Sequence, residues 1–292
     1  MFPFIVLLED LYDQMNVDPS TSAPAQIAQY QRKINEAYRD VAGMWPWNTL
    51  KKTVTLASTY LCPADMLRPL RIIDTNKQGY NFIGGVNRIS KFNYNWYFTD
   101  MIATPLASGN TLHIGEYDTA LTSTAEFPAT TCAGEFIRIG SNVGIYKIAA
   151  WISTSAMTLT DHFRGDALSE ETFSVRPVGT QVLAFSNAAG TALTPTDVEL
   201  TYIRKPLPLY RDDDIVELPG DCAAVRIKAL QKILALNKYD RAADRRNIDF
   251  KDALTTMKAQ ETKVSITEPD KLFARRATNS NQNQMRMQLT GY

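Results

Sequence analysis

Histidine and cysteine are scarce in this sequence. Its 292 residues include two histidines, His113 and His162, and three widely separated cysteines, Cys62, Cys132 and Cys222. An odd number of cysteines without metal-ligand spacing argues against a disulfide framework or a zinc site and favours buried apolar side chains. With so few histidines, a catalytic triad has few candidates for its base.

An excess of charge of one sign is also absent, as are the common nucleotide and metal motifs. Lysine and arginine total 31, and aspartate and glutamate total 31. No global field therefore favours nucleic acid or anionic membranes. The sequence contains no P-loop, dinucleotide fingerprint, CxxC or HExxH pattern. We predict that the protein is not an enzyme, binds no metal and needs no cofactor.

The apolar run near the N-terminus has the pattern of an amphipathic helix. It lacks a basic leader and a small-residue cleavage site, and Glu9 and Asp10 soon interrupt it. We therefore interpret it as neither a signal peptide nor a membrane span, and expect a soluble product made in the cytosol. A second helix is predicted from Ser22, with Pro24 in its first turn.

A tryptophan-rich corner follows this second helix. Pro46 lacks an amide hydrogen and disfavours helix in the residue before it, so the helix should end at Met44 or Trp45. The segment TVTL then alternates polar and apolar residues like a half-buried strand. We predict that the corner has a structural role, with these residues packing there: Tyr38, Trp45, Pro46 and Trp47.

The long middle of the chain, from Lys52 to about Tyr202, has the pattern of β structure. Segments rich in valine, isoleucine and aromatics, such as EFIRIG, GIYKIAAWI and VELTYI, recur between turn residues. Their spacing is typical of small barrels or sandwiches. Helical periodicity returns after residue 220 and predicts a helical hairpin. The residues expected to pack there are Ile227, Leu230, Leu234, Phe250, Leu254 and Met257.

Together these patterns predict an α+β fold. N- and C-terminal helices would form a helical bundle, with a long β region inserted between them and an extended tail at the C-terminus. The predicted boundaries are 1–51 for the first helices, 52–205 for the β region with a small barrel at about 105–178, 206–261 for the hairpin and 262–292 for the tail. The tail is polar and rich in amides, so we expect it to gain order only on a partner.

Local motifs that suggest chemistry are weak. Asp161 and His162 are adjacent, and neighbouring strand residues face opposite sides, so a catalytic pair is not favoured. The tripeptide Arg164-Gly165-Asp166 fits a turn better than an adhesion motif. The acidic run 212–217 has no preset ligand geometry, and we interpret it as a solvated linker.

An aromatic stripe is a further candidate site. Phe92, Tyr94, Trp96 and Phe98 alternate along one strand and fall on one face. Such a face can stack bases or sugars, but burial in a core or subunit interface is the favoured interpretation.

The order of several motifs resembles the head-to-tail connector, or adaptor, proteins of tailed bacteriophages. In that family a helix with a tryptophan-rich corner leads to a TVTL strand and a proline-aspartate segment, here Pro63 and Asp65. A strand ending in Tyr-x-x-x-Pro, here Tyr202 to Pro206, precedes a terminal helical hairpin. The likeness covers residues 22–75 and 197–260. The long segment between them departs from the shortest adaptors, and residues 133–178 look like a small β-barrel module of phage structural proteins.

The resemblance implies a virion structural protein in the neck between the capsid portal and the tail, made in the host cytoplasm. Its partners would be the portal protein, tail or neck proteins and its own copies in a ring, commonly of twelve. Packaged DNA would pass through the lumen without sequence recognition, and no membrane is involved. The residues expected to anchor the tail on the portal are Lys271, Leu272, Phe273, Arg275, Arg276, Met285, Arg286, Met287 and Tyr292.

Three other functions stay open at the level of sequence. A tail-fibre or baseplate protein that binds a receptor or glycan predicts a trimer with exposed aromatics. A phage wall hydrolase predicts paired carboxylates in a cleft. A DNA-binding protein predicts steep salt dependence, for which a neutral chain is poorly suited.

Overall fold

The computed structural model describes residues 2–57, 59–74, 80–81, 83–84, 95–187, 190–220 and 222–266. This part of the chain divides into two compact units. The first contains Val6–Ala37 and the residues from Val216 onward, and the second contains Pro3–Ile5 and Tyr38–Ile215.

Helices form near both ends of the chain, where apolar residues recur with the helical period. The helices are α1 (Phe4–Met15), α2 (Pro24–Met44), α3 (Ala223–Leu236) and α4 (Asp240–Ile266), with a short 3₁₀ helix at Asn48–Leu50. None of the described helices is both long enough and apolar enough to span a membrane.

Strands occupy most of the middle of the chain, where β-branched and aromatic residues alternate with turn residues. They are β1 (Phe2–Pro3), β2 (Lys51–Leu56), β3 (Met66–Asp74), β4 (Tyr80–Asn81), β5 (Ile83–Gly84), β6 (Asn95–Met101), β7 (Ala107–Ile114), β8 (Ala120–Thr122), β9 (Phe136–Ile139), β10 (Ile145–Ser153), β11 (Ala156–Leu159), β12 (Leu168–Val175), β13 (Gln181–Ser186), β14 (Ala192–Leu193), β15 (Val198–Arg204) and β16 (Ile215–Val216).

The predicted helical bundle with an inserted β region is wrong. The described part of the chain is β-rich, with 33% strand and 30% helix, and it contains a closed six-stranded barrel and only four α-helices. The physical reason is that the strands bury their own apolar faces. One hydrophobic core fills the barrel and a second lies among the remaining strands. The β structure therefore organises the fold instead of interrupting a bundle.

The barrel has the strand order β10-β11-β8-β7-β12-β9 and closes between β9 and β10. Alternate residues of each strand point inward, as on β9, where Ile137 and Ile139 are buried and Arg138 is exposed. Tyr146 on β10 packs at a tilt against Phe163, with ring centroids 5.6 Å apart. Closure leaves the barrel without open edges.

Two four-stranded sheets surround the second core. Their orders are β2-β15-β3-β4 and β14-β13-β6-β5. Strand β15 is central in the first sheet, where Leu200 lies opposite Val54 on one side and Ile72 on the other. Leu200 packs in the same core as Leu183 and Phe185 of β13. This core thus joins segments from widely separated parts of the chain.

The tryptophan-rich corner ends α2 at Met44, as the sequence predicts. Trp47 is fully buried, and its Nε1 donates a hydrogen bond to the carbonyl oxygen of Val41 at 3.0 Å. Tyr38 is also buried, whereas Trp45 and Pro46 are half-buried. Pro46 thus reverses the chain, so that Trp47 folds back and binds a carbonyl near the end of the helix it follows.

The helices of the first unit are joined by ion pairs. Arg226 of α3 contacts Asp10 of α1 at 2.5 Å, and Lys232 of α3 lies 3.7 Å from Glu36 of α2. Gln231 donates a hydrogen bond to Asn247 of α4 at 3.0 Å. Because all these contacts are within one unit, helices from both ends of the sequence share it.

The predicted packing residues of α3 and α4 differ in burial. Leu230, Phe250 and Met257 are buried, while the half-buried members of the set are Ile227, Leu234 and Leu254. Helix α3 has apolar residues on most sides and also buries Val225 and Ala229. Its sequence therefore did not show which of its faces would be buried. Helix α4 continues to Ile266, beyond the end at residue 261 that the sequence pattern predicted.

Candidate binding cleft

The residues predicted to dock on a portal all lie in residues 267–292, outside the described part of the chain. Of the aromatic stripe, Phe92 and Tyr94 also lie outside it. Trp96 and Phe98 pack edge to face on β6, with ring centroids 5.5 Å apart. Trp96 is half-buried and Phe98 is 37% exposed. The described part of the stripe is therefore neither a wholly exposed platform nor a wholly buried core.

His162 is held by a tyrosine. The two rings stack with centroids 5.0 Å apart and planes 6° from parallel, and His162 Nδ1 lies 2.9 Å from the backbone oxygen of Tyr117. Since a carbonyl oxygen can only accept, this contact requires the proton on Nδ1. Arg211 also lies against the Tyr117 ring, at 4.2 Å from its centroid. The imidazole thus belongs to a packed surface cluster.

The Arg164-Gly165-Asp166 tripeptide is engaged within the second unit. Arg164 donates a hydrogen bond to the backbone oxygen of Pro208 at 3.3 Å and lies 3.7 Å from Asp214. Asp166 accepts a hydrogen bond from the hydroxyl of Tyr210. Both charged side chains therefore fasten the 206–214 segment to the barrel loop that contains them.

Asp214 is the buried centre of this attachment. Its side chain is fully buried and accepts three hydrogen bonds: from the Tyr117 hydroxyl at 2.9 Å, from the Tyr210 amide at 2.6 Å and from the Arg211 amide at 2.9 Å. Asp212 and Asp213 beside it are exposed. The interpretation of the acidic run as a solvated linker is therefore wrong for its third aspartate, because the buried Asp214 side chain has three hydrogen-bond donors in place of water.

A hydroxyl–imidazole pair that the sequence did not indicate lies on the barrel. Ser169 Oγ of β12 is 2.9 Å from His113 Nδ1 of β7. Among the hydrogen bonds of the described residues, no carboxylate reaches this imidazole. A serine nucleophile needs a base that a third group orients. The pair therefore lacks one part of a catalytic triad.

A cleft of about 580 Å³ is the candidate binding site in the described structure. It lies within the second unit, between the sheet of β2, β15 and β3 and the barrel strands β9 and β10. One wall contains every residue of β2 from Lys52 to Leu56, followed by Ala57. The opposite wall contains the segment from Ala133 to Phe136, together with Ile145 and Lys147. This volume is within the usual range for ligand clefts.

The charged residues of the cleft include more cations than anions. Five are basic, namely Lys52, Lys147, Arg176, Arg204 and Lys205, and three are acidic, namely Asp65, Glu135 and Asp161. Arg176 and Glu135 pair at 2.5 Å and compensate each other. Lys52 and Lys147 are both exposed, one on each wall, against a single exposed carboxylate, that of Asp161. The cleft therefore presents a positive surface to solvent.

A hydrogen-bonded group in the lining of the cleft joins the residues just before β3 to the end of β15. The Tyr202 hydroxyl donates to Asp65 Oδ1 at 3.0 Å, and the Lys205 amide donates to the backbone oxygen of Asp65 at 2.6 Å. Lys205 Nζ donates to the backbone oxygen of Ala64 at 3.0 Å. These contacts fix Asp65 beside two basic residues, Lys205 and Arg204.

Burial is the largest cause of the pKa shifts of Asp65, Tyr202 and Lys205. Burial raises the pKa of Asp65, and the Tyr202 hydrogen bond and nearby cations only partly oppose it. Burial likewise raises the pKa of Tyr202, which stays a hydrogen-bond donor, and lowers the pKa of Lys205. Cys62, which also lines the cleft, has its pKa raised to about 12 by burial and is a poor nucleophile at neutral pH.

We predict that Asp65→Asn reduces the pH dependence of stability. A carboxyl whose pKa is raised in the folded chain stabilises the fold below its usual pKa of 3.8 and loses that contribution as pH rises through the folded value. The asparagine keeps an oxygen for Tyr202 and has no proton to lose. The free energy of unfolding, measured by urea titration upward from about pH 4, should fall less in the variant than in the parent.

Asp161→Asn is the matched control, because it removes an exposed carboxylate from the same cleft. A parent-like pH profile in Asp65→Asn would show that Asp65 does not carry the effect.

The cleft combines a strand edge with charged side chains from both walls. All three cysteines are free and buried, as expected from their spacing. Among the described residues, no cluster of three or more histidine, cysteine, aspartate or glutamate side chains is arranged to hold a metal ion. The cleft was missed at the level of sequence, although Asp65, Tyr202 and Pro63 belong to the motifs quoted for the family resemblance.

Comparisons with known proteins do not assign the chain to a family. No family model matches the sequence, and a search of curated proteins finds no match.

Proposed function

We propose that the protein is a virion structural protein, a ring-forming head-to-tail adaptor of a tailed bacteriophage. It docks on the portal, extends the DNA channel and provides the attachment surface for tail proteins. Its mechanism is assembly, and catalysis and cofactors have no part in it. A ring requires a heterologous interface that closes by rotation.

The observation that supports this proposal is the meeting of the two segments that carry the resemblance. Residues 22–75 and 197–260 are far apart in sequence, yet β15 from the second pairs with both β2 and β3 from the first. The Tyr202 hydroxyl at one motif binds Asp65 at the other. Each short motif alone is weak evidence for the resemblance. Because the motifs lie together in one sheet, they support it jointly.

The segment between the motifs holds the barrel. Its strands run from Ala107 to Val175 and have their own core, so the sheet of β2, β15 and β3 does not require it for burial. In an adaptor, such a barrel would project as an additional surface for neck or tail proteins. We assign the barrel this attachment role.

The C-terminal residues supply the test against the portal. Residues 267–292 contain four basic and two acidic residues, and a segment that orders on binding can contribute contacts without taking part in the fold. Deleting residues 267–292, after the end of α4, should leave the unfolding transition unchanged. It should weaken binding to portal rings, made from the same genome, by at least about tenfold, since coupled ordering buries substantial surface.

Two smaller changes distinguish residues that speed association with the portal from residues that slow dissociation. Arg275→Glu with Arg276→Glu should mainly slow association and change its salt dependence, whereas Phe273→Ala should speed dissociation. Arg241→Glu with Arg245→Glu, on the exposed surface of α4, is the charge-matched control. Equal portal affinity of the deleted and full-length chains would exclude the docking role of these residues.

A further inference from the structure

The cleft beside β2 has an unusual wall. Consecutive residues from Lys52 to Ala57 line it, although successive side chains of a strand point to opposite faces. Because the cleft is lined by residues whose side chains point to both faces of the sheet, it runs along the edge of the strand. In the sheet order β2-β15-β3-β4, β2 is that edge, and within the described residues it pairs with β15 alone.

An edge strand presents unpaired backbone donors and acceptors to whatever lies beside it. The register with β15 covers all six residues from Lys51 to Leu56, so the edge is regular over the length of an ordinary strand. The opposite wall leaves space at Gly134, where an added Cβ would meet no atom within 4 Å. The cleft therefore combines a regular edge with room in front of it.

The charge of the cleft limits what can pair with this edge. Lys51 and Lys52 are exposed on β2, and lysines on an edge discourage pairing with neutral or basic strands. Lys147 adds an exposed cation on the facing wall, and the Arg176–Glu135 pair is already compensated. An acidic strand would be attracted by the same lysines that discourage other strands.

We propose that this cleft binds an extended, acidic peptide segment of a partner protein, which adds as a further strand to the outer edge of β2. Main-chain hydrogen bonds along β2 supply affinity, and Lys52 and Lys147 select acidic side chains. Residues 267–292 of this chain are a poor occupant, because they are net basic. The inference does not depend on the proposed adaptor function.

The test uses the full-length chain and a fluorescein-labelled peptide of about eight residues that alternates glutamate and valine, the length of an ordinary strand. Fluorescence anisotropy should show saturable binding. The same peptide with alternate backbone nitrogens methylated loses edge hydrogen bonds and should bind at least about tenfold more weakly. Lys52→Glu with Lys147→Glu should weaken binding of the unmethylated peptide to a similar degree, whereas Lys251→Glu on exposed α4 should bind it like the parent.

Several results would overturn the proposal. Absence of saturable binding, or equal affinity for the methylated and unmethylated peptides, would remove the strand-addition mode. If an oligothymidylate bound as tightly as the acidic peptide or more tightly, the cleft would be a nucleic-acid site that recognises negative charge alone.

Discussion

Replacing Trp47 by alanine is expected to lower the free energy of unfolding by about 3 to 5 kcal/mol, the cost of removing a large buried aromatic. The side chain is fully buried, and its Nε1 binds the carbonyl oxygen of Val41. The variant leaves a cavity at the corner and also removes a donor. Guanidinium unfolding followed by circular dichroism measures the loss directly.

Trp45→Ala is the matched control, since the same residue type lies two positions away and is half-buried. We expect its cost to be clearly smaller, because less apolar surface returns to water. Similar midpoints for the parent and Trp47→Ala would mean that the corner does not anchor the fold.

Asp214→Ala is expected to cost about 3 to 5 kcal/mol, because it breaks a buried charge pair and leaves its partner uncompensated. Two backbone amides and the Tyr117 hydroxyl lose their acceptor. Arg164, whose side chain is only 18% exposed, loses the carboxylate that lies 3.7 Å from it. Urea unfolding at neutral pH gives the comparison with the parent.

Asp212→Ala and Asp213→Ala test the same acidic run without removing a buried group. Both aspartates are exposed, so each change should stay within about 0.5 kcal/mol of the parent, as surface substitutions usually do. Equal effects at all three positions would show that the run acts through its summed charge and would contradict the role of Asp214.

Local signals were sufficient for several elements. Pro46 determined the end of α2, because its effect on the preceding residue is covalent and steric. The alternation in FIRI and IYKIAAWI predicted strands where β9 and β10 are found. The corner was recognised from residue types, although the bond from Trp47 to Val41 depends on how the chain turns back.

The organisation of these elements needed the structure. Barrel closure depends on pairings such as Phe173 with Ile139, which no local pattern specifies. The sequence prediction made the helices the main body of the fold, because helical periodicity is easy to detect. The short strands carry no local pattern that shows which of them pack into the same hydrophobic core. Asp214 cannot be distinguished from its neighbours by sequence, since its burial depends on Tyr117, which is 97 residues away.

The cleft could not be predicted from the sequence either, because residues that are distant in sequence form it. Its two walls come from β2 and from β9 and β10, which are separated by about half of the second unit, and only the fold brings Lys52 opposite Lys147. The pairing of Tyr202 with Asp65 was implied only by the order of the family motifs. Contacts between distant segments are set by tertiary packing, which overrides local preference.

Electron microscopy of the purified chain, negatively stained alone and mixed with portal rings from the same genome, tests the adaptor proposal most directly. We expect closed rings of one symmetry, alone or on the portal, seated coaxially on one face of it with an open central channel. A chain that stays monomeric or forms only trimers, and leaves the portal rings bare, would contradict the proposal.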